Sequence, residues 1–154
     1  MDSEFLTCGE VRSLESIAET PKGVPTPALL TRATHLLKPF SNIEILNLGI
    51  QVAPKVDYFK THNFSISASG DISSLANIDA MDVFKKGLDF GQNFECKDEY
   101  IILAESVPSG TTTAAATALA LDYDCKEMFS SSFKDVPNDI RNKTIQSALS
   151  NIKE

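Results

Sequence analysis

The residues whose types and spacing can do chemistry concentrate in one stretch, Tyr100-Ile-Ile-Leu-Ala-Glu-Ser-Val-Pro-Ser-Gly-Thr-Thr-Thr-Ala-Ala-Ala116. It reads as a short apolar strand, a loop of small residues and an Ala-rich helix. In open α/β sheets, ligands bind beyond the carboxyl ends of strands. A helix start offers unpaired N–H groups and a partial positive charge, and both favour phosphate. Gly110 lets the backbone approach closely, and Ser109, Thr111, Thr112 and Thr113 add hydroxyl donors. No lysine follows the glycine, so this is not the loop that cradles a nucleoside triphosphate with magnesium. The same stretch also reads as a plain strand–helix turn with threonine caps, and both readings stay open. Glu105 leaves the apolar run where a carboxylate can orient a ribose hydroxyl or take a proton from an attacking nitrogen. It reads equally as a solvated loop residue.

Other candidates are more dispersed. Asn47, Gly49 and Lys55 follow the strongest strand pattern, on the edge where Lys55 can meet an anion or remain a surface lysine. Ser130, Ser131 and Ser132 offer hydroxyls to a phosphate or sugar, although serine clusters commonly only shape turns. His35 reads as a helix-face residue and His62 as an uninformative loop residue. No G-x-S-x-G anchors a Ser–His–Asp triad. The two histidines lie far apart in sequence with no cysteine or carboxylate cluster near them, so no metal site is expected.

The elements that must position these residues follow from apolar spacing and punctuation. Phe5 to Cys8 reads as a short strand, followed by a helix-compatible stretch from Glu10 to Glu19. Pro21, Pro25 and Pro27 mark an extended connection, because proline also biases the residue before it towards extended geometry. Thr26 and Pro27 predict a capped helix start, and Leu29, Leu30, Ala33, Leu36 and Leu37 carry the helix to a stop before Pro39. Ile43–Leu48 is the clearest strand, closed by Gly49. Asn63–Ile72 reads as a loop or weak hairpin. Apolar spacing predicts a helix over 75–94, weakened by Gly87 and Gly91. Tyr100–Ala104 predicts a strand buried on both faces of a parallel sheet. Helices are expected over 111–121 and from Asn138 onward. Strands alternating with helices predict an α/β fold: a three-layer, mostly parallel, Rossmann-like sheet flanked by helices, in a single domain over 1–154.

Composition bounds the partners. The 154 residues carry 14 basic and 21 acidic side chains, a net charge of −7 and a pI of about 4.8. That argues against nucleic-acid or anionic-membrane surfaces, which need concentrated Lys and Arg. Only Arg12, Arg32 and Arg141 supply guanidinium groups, so backbone N–H groups and lysines would hold most of any phosphate. Cys8, Cys96 and Cys125 lack C-x-x-C spacing and read as reduced thiols of a cytoplasmic protein.

Four stretches in order carry a family resemblance: Pro21–Ala33, Leu46-Asn-Leu-Gly49 with Pro54-Lys55, Glu105–Thr113 and Phe129-Ser-Ser-Ser-Phe133. Together they resemble the nicotinate-nucleotide–dimethylbenzimidazole phosphoribosyltransferase family, particularly its divergent archaeal-type branch. The resemblance implies a parallel sheet with the nucleotide at its carboxyl edge. It further implies transfer of 5-phosphoribosyl from nicotinate mononucleotide to 5,6-dimethylbenzimidazole, giving α-ribazole 5′-phosphate and nicotinate for the lower ligand of cobalamin. By the same resemblance Glu105 matches the carboxylate beside the nucleotide. Gly110, Thr111, Thr112 and Thr113 match the loop and helix start near the reactants. Lys55 and Ser130–Ser132 fall at further motif positions. Neither a cofactor nor a metal is implied.

Ser109 stands where this branch usually carries a second glycine. Family members are also longer, and their later general-base carboxylate has no counterpart in 134–154. The rival expectation is therefore a non-catalytic nucleotide-binding or assembly module, working as a homodimer or with a partner chain. An incomplete sheet would leave edges and apolar faces exposed.

Overall fold

A computed structural model describes residues 1–15, 19, 23–56, 59–107, 110–124, 128–129 and 138–152. Ser109, Ser130, Ser131 and Ser132, and Cys125, lie outside these described residues. The architecture is mixed α/β, with five helices and one two-stranded parallel sheet among the described residues. The chain divides into two compact units, 1–68 with 79–104, and 69–78 with 105–154.

The first unit begins with α1, Asp2–Cys8, where the reading had a strand. Phe5-Leu-Thr-Cys8 is too short an apolar run to distinguish the two by periodicity. Tertiary contacts favour the helix. Asp2 and Glu4 lie in the first turn, and Gly9 ends the helix at φ +85°. The Arg32 guanidinium donates to the carbonyls of Phe5 and Leu6 at 3.2 and 2.8 Å, satisfying groups a helix end leaves unpaired. The expected helix after Glu10 is absent over residues 11–15. There the N–H groups of Arg12 and Ser13 donate to the Glu4 carboxylate at 3.0 and 3.2 Å instead.

Helix α2 spans Ala28–Leu37, with Pro27 already in helical geometry. The Thr26 hydroxyl accepts from the Ala28 N–H at 3.3 Å, so this start was legible in the sequence to within a residue. Strand β1, Glu44–Asn47, pairs in parallel with β2, Lys60–Asn63, which places Glu44 opposite Lys60 and Leu46 opposite His62. The Lys-Thr-His-Asn of β2 has no apolar alternation, and its strand identity comes from its partner.

Helix α3, Ala80–Asn93, starts at Asp79, whose carboxylate accepts from the Asp82 N–H at 3.0 Å. Leu75 and Asn77, with φ of 65° and 49°, break the helical geometry before that point. Tyr100–Ala104 forms no strand among the described residues, and all five residues are exposed. A strand needs a neighbour to satisfy its backbone, and none is present there.

The second unit has its own core. One 3₁₀ turn, Ile72–Ser74, lies beside α5, Asn138–Ser150, which also packs on α4, Gly110–Ala120. Ala115, Ala116 and Ile145 are buried, with Ile72, Leu119, Phe129, Ala148 and Leu149 packed around them. The alanines keep α4 slim where α5 crosses it. The Asn151 side chain donates to the Ser73 carbonyl at 2.9 Å and ties the end of α5 to the 3₁₀ turn.

Candidate functional site

In the second unit, α4 begins at Gly110, one residue before the expected start. A Cβ built on Gly110 would lie 2.6 Å from Cγ1 of Val107 and 3.8 Å from Oε1 of Glu105. Glycine here is thus a packing requirement, because the loop folds back over the helix start. That fold brings Glu105 beside the first turn of α4. Glu105 is exposed, as are Thr111 and Thr113, while Thr112 is half-buried. No acidic residue lies in the first turn, so the positive end of the helix is not neutralised from within. Among the described residues, no hydrogen bond uses the hydroxyls of Thr111, Thr112 or Thr113. Three hydroxyls, a helix start and one carboxylate can bind a phosphorylated sugar and orient its hydroxyls.

Arg141, one of the three arginines, belongs to no motif in the sequence. It lies in the first turn of α5, half-buried, and donates through Nη1 to the Phe129 carbonyl at 3.3 Å. Its Nε and Nη2 are buried with no hydrogen-bond partner among the described residues. Buried guanidinium donors without partners are costly, and an anion would satisfy them. Spacing gave no signal for this, because the burial comes from the packing around α5.

The remaining candidates belong to the first unit. Lys55 is exposed, and its backbone N–H donates to Glu4 Oε1 at 2.6 Å. Glu4 is fully buried, and burial pushes its carboxyl pKa up. The N–H groups of Lys55, Arg12 and Ser13 outweigh that and bring it down to about 2. The Asn47 side chain accepts from the N–H groups of Gly49 and Ile50 at 3.2 and 2.9 Å, closing β1 in a tight turn. Gly49 has φ +106°, and a Cβ there would lie 2.9 Å from the Ser67 carbonyl. Asn47 and Gly49 therefore shape the carboxyl end of β1.

His62, which the sequence left in a loop, sits on β2 and bonds through Nε2 to Glu44 Oε2 at 2.5 Å. That bond is the largest cause of the lowered Glu44 pKa, and Asn42 and Lys60 act in the same direction against desolvation. The His62 and Phe90 rings also meet edge to face, with centroids 4.9 Å apart. His35 accepts from the Phe40 N–H through Nδ1 at 3.0 Å, a local contact beyond the end of α2. Among the described residues, no group of three potential ligands can hold a metal ion, and no helix is long and apolar enough to cross a membrane.

The chain is similar to proteins named only as UPF0284. One from Saccharolobus solfataricus is 35% identical over 153 residues, which cover 98% of this chain and 43% of that protein. One from Saccharolobus islandicus is 33% identical over 154 residues, with coverage of 98% and 43%. One from Sulfolobus acidocaldarius is 30% identical over 153 residues, covering 98% and 44%. The chain thus spans less than half the length of the curated relatives it matches. Their names state no substrate or reaction. No family model matches the chain.

Proposed function

We propose that this chain is part of a phosphoribosyltransferase resembling the nicotinate-nucleotide–dimethylbenzimidazole enzymes, in the cytoplasm, with a three-layer, Rossmann-like sheet in the complete protein. The observation that carries the reading is the return of the 105–107 loop onto Gly110, which sets a carboxylate beside a helix start with three threonines. In the reaction, the bond from ribose C1′ to the nicotinate nitrogen breaks, and its electron pair leaves with nicotinate. The unprotonated ring nitrogen of dimethylbenzimidazole bonds to C1′, and the proton on its other ring nitrogen passes to the Glu105 carboxylate. Positive charge builds on the ribose in between, and the carboxylate stabilises it. Phosphate held at the start of α4 reduces the entropic cost of bringing the two reactants together.

The test is calorimetric titration of the purified chain with nicotinate mononucleotide, with ribose 5-phosphate as control. Dimethylbenzimidazole is then added and α-ribazole 5′-phosphate measured. Micromolar nucleotide binding absent with the control supports the reading, and turnover abolished by Glu105→Gln supports the role of the carboxylate. Equal affinity for the control, or wild-type turnover in Glu105→Gln, counts against it. A second reading, a nucleotide-binding module that acts only with a partner, is favoured by the exposed apolar run at 100–103. Nucleotide binding without turnover by the chain alone distinguishes it.

A further inference from the structure

The Lys55 backbone is held from both sides by one face of α1. Its N–H donates to Glu4 Oε1 at 2.6 Å, and its carbonyl accepts from the Cys8 thiol, with Sγ 4.0 Å away. Glu4 and Cys8 stand four residues apart in the helix, which places both on that face. Oε2 of the same Glu4 carboxylate accepts from the Arg12 and Ser13 N–H groups at 3.0 and 3.2 Å. Helix α1 is itself fastened to α2, through the Arg32 guanidinium at the Phe5 and Leu6 carbonyls. Pro54 stiffens the approach to Lys55, because its ring fixes φ and restricts the residue before it.

What this framework holds is a cationic side chain that nothing neutralises. Lys55 is exposed, and its ammonium forms no ion pair among the described residues. Strands β1 and β2 run parallel and end at Asn47 and Asn63, and Lys55 lies in the segment that leaves β1 at that end. Ligands of parallel sheets bind on that side. Burying a carboxylate is costly unless hydrogen bonds satisfy it, and here the donors are backbone groups of segments it thereby fixes. We infer that Glu4 is a positioning residue for Lys55: it fixes the Lys55 backbone so that the ammonium meets an oxyanion of the nucleotide. This rests on the nucleotide reading, with Lys55 as one of its anion contacts, and adds the residue that places it. A lysine stem is flexible, so anchoring its backbone limits where the ammonium can reach.

The experiment is a double-mutant cycle in nicotinate mononucleotide affinity, read by calorimetry on the whole chain. Lys55→Ala should weaken binding about tenfold, as loss of one charge-assisted hydrogen bond does. In Glu4→Gln the remaining oxygen can still accept from Arg12 and Ser13, while the new NH2 group faces the Lys55 N–H, donor against donor. Glu4→Gln should therefore weaken binding about three- to tenfold in the wild type and less than about twofold in the Lys55→Ala background. An equal loss in both backgrounds marks a merely structural Glu4 and overturns the inference, as does wild-type affinity in Glu4→Gln. Where Glu4→Gln fails to fold by circular dichroism, Glu4→Asp takes its place under the same criteria, because it keeps the charge and withdraws the carboxylate by one methylene. An unprotected Lys55 amide in hydrogen exchange of the wild type overturns the inference without any variant. Nicotinate riboside lacks the phosphate and nicotinamide mononucleotide lacks the carboxylate. The Lys55→Ala loss should vanish with one of them, and a loss kept with both overturns the contact. Nuclear magnetic resonance shifts around position 55 on adding inorganic phosphate separate this inference from the nucleotide reading. Shifts abolished by Lys55→Ala and by Glu4→Gln, without nicotinate mononucleotide binding, keep the positioning role and reject the nucleotide. Nucleotide binding that Lys55→Ala leaves unchanged rejects the positioning role and keeps the nucleotide. No response to either ligand rejects both.

Discussion

At the scale of single residues, buried polar groups set the most specific constraints. Glu4 is a carboxylate with no exposure that gathers N–H groups from three positions, two just beyond α1 and one at Lys55. Truncating it leaves those donors buried and unpaired, at about 1–3 kcal/mol for such a group. Glu4→Ala should therefore lower stability by roughly 3 kcal/mol in urea titrations. The pH dependence follows from the folded carboxyl pKa of about 2, below its ordinary 4.5. Stabilisation from Glu4 is fully present above about 4.5 and is lost as pH falls from there towards 2. The lowered pKa of Glu44 acts in the same sense. Stability measured between pH 6 and 3 should fall in the wild type, and Glu4→Gln should flatten that slope. Arg141 carries the opposite expectation. Because two of its buried donors lack partners, Arg141→Met should leave the free chain as stable as the wild type or more so. Urea titration of the variant checks this, and a lower midpoint would show that the bond to the Phe129 carbonyl outweighs the unmet donors.

At the scale of elements, the two units depend on different kinds of contact. Unit two is held by the α4–α5 crossing, where Ala115 and Ala116 face Ile145. Ile145→Ala should cost about 2–4 kcal/mol, read from amide protection in α4 and α5. In α3, Gly87 and Gly91 sit in helical geometry with open space where a Cβ would stand. Alanine at each should stabilise by about 0.4–1 kcal/mol, measurable as a rise in urea midpoint. The contrast with Gly110 is instructive. There a Cβ collides with Val107, so Gly110→Ala should destabilise the start of α4, and Val107→Ala in the same chain should recover much of the loss.

At the scale of the whole molecule, charge and unburied apolar surface act together. A net charge of −7 keeps copies apart at neutral pH, and a pI of about 4.8 removes that repulsion in mild acid. Large apolar residues remain exposed in both units, among them Leu37, Leu103 and Ile140. Turbidity should therefore peak near pH 5 and fall on either side.

Local signals in the sequence determined the elements that depend on neighbours within a turn or two. Thr26 and Pro27 marked the start of α2, Pro39 its end, Gly49 the close of β1, and alanine content the slimness of α4. The start of α4, expected at Thr111 and found at Gly110, was legible for the same reason. Only the tertiary structure decided the features whose partners lie far along the chain. Glu4 turns inward because Lys55 comes to meet it 51 residues later, and that contact converts an apparent strand into α1. His62 became informative once β2 lay beside β1 and delivered its ring to Glu44. Tyr100–Ala104 shows the converse: strand propensity was plain in its residues, but a strand exists only when another backbone answers its hydrogen bonds.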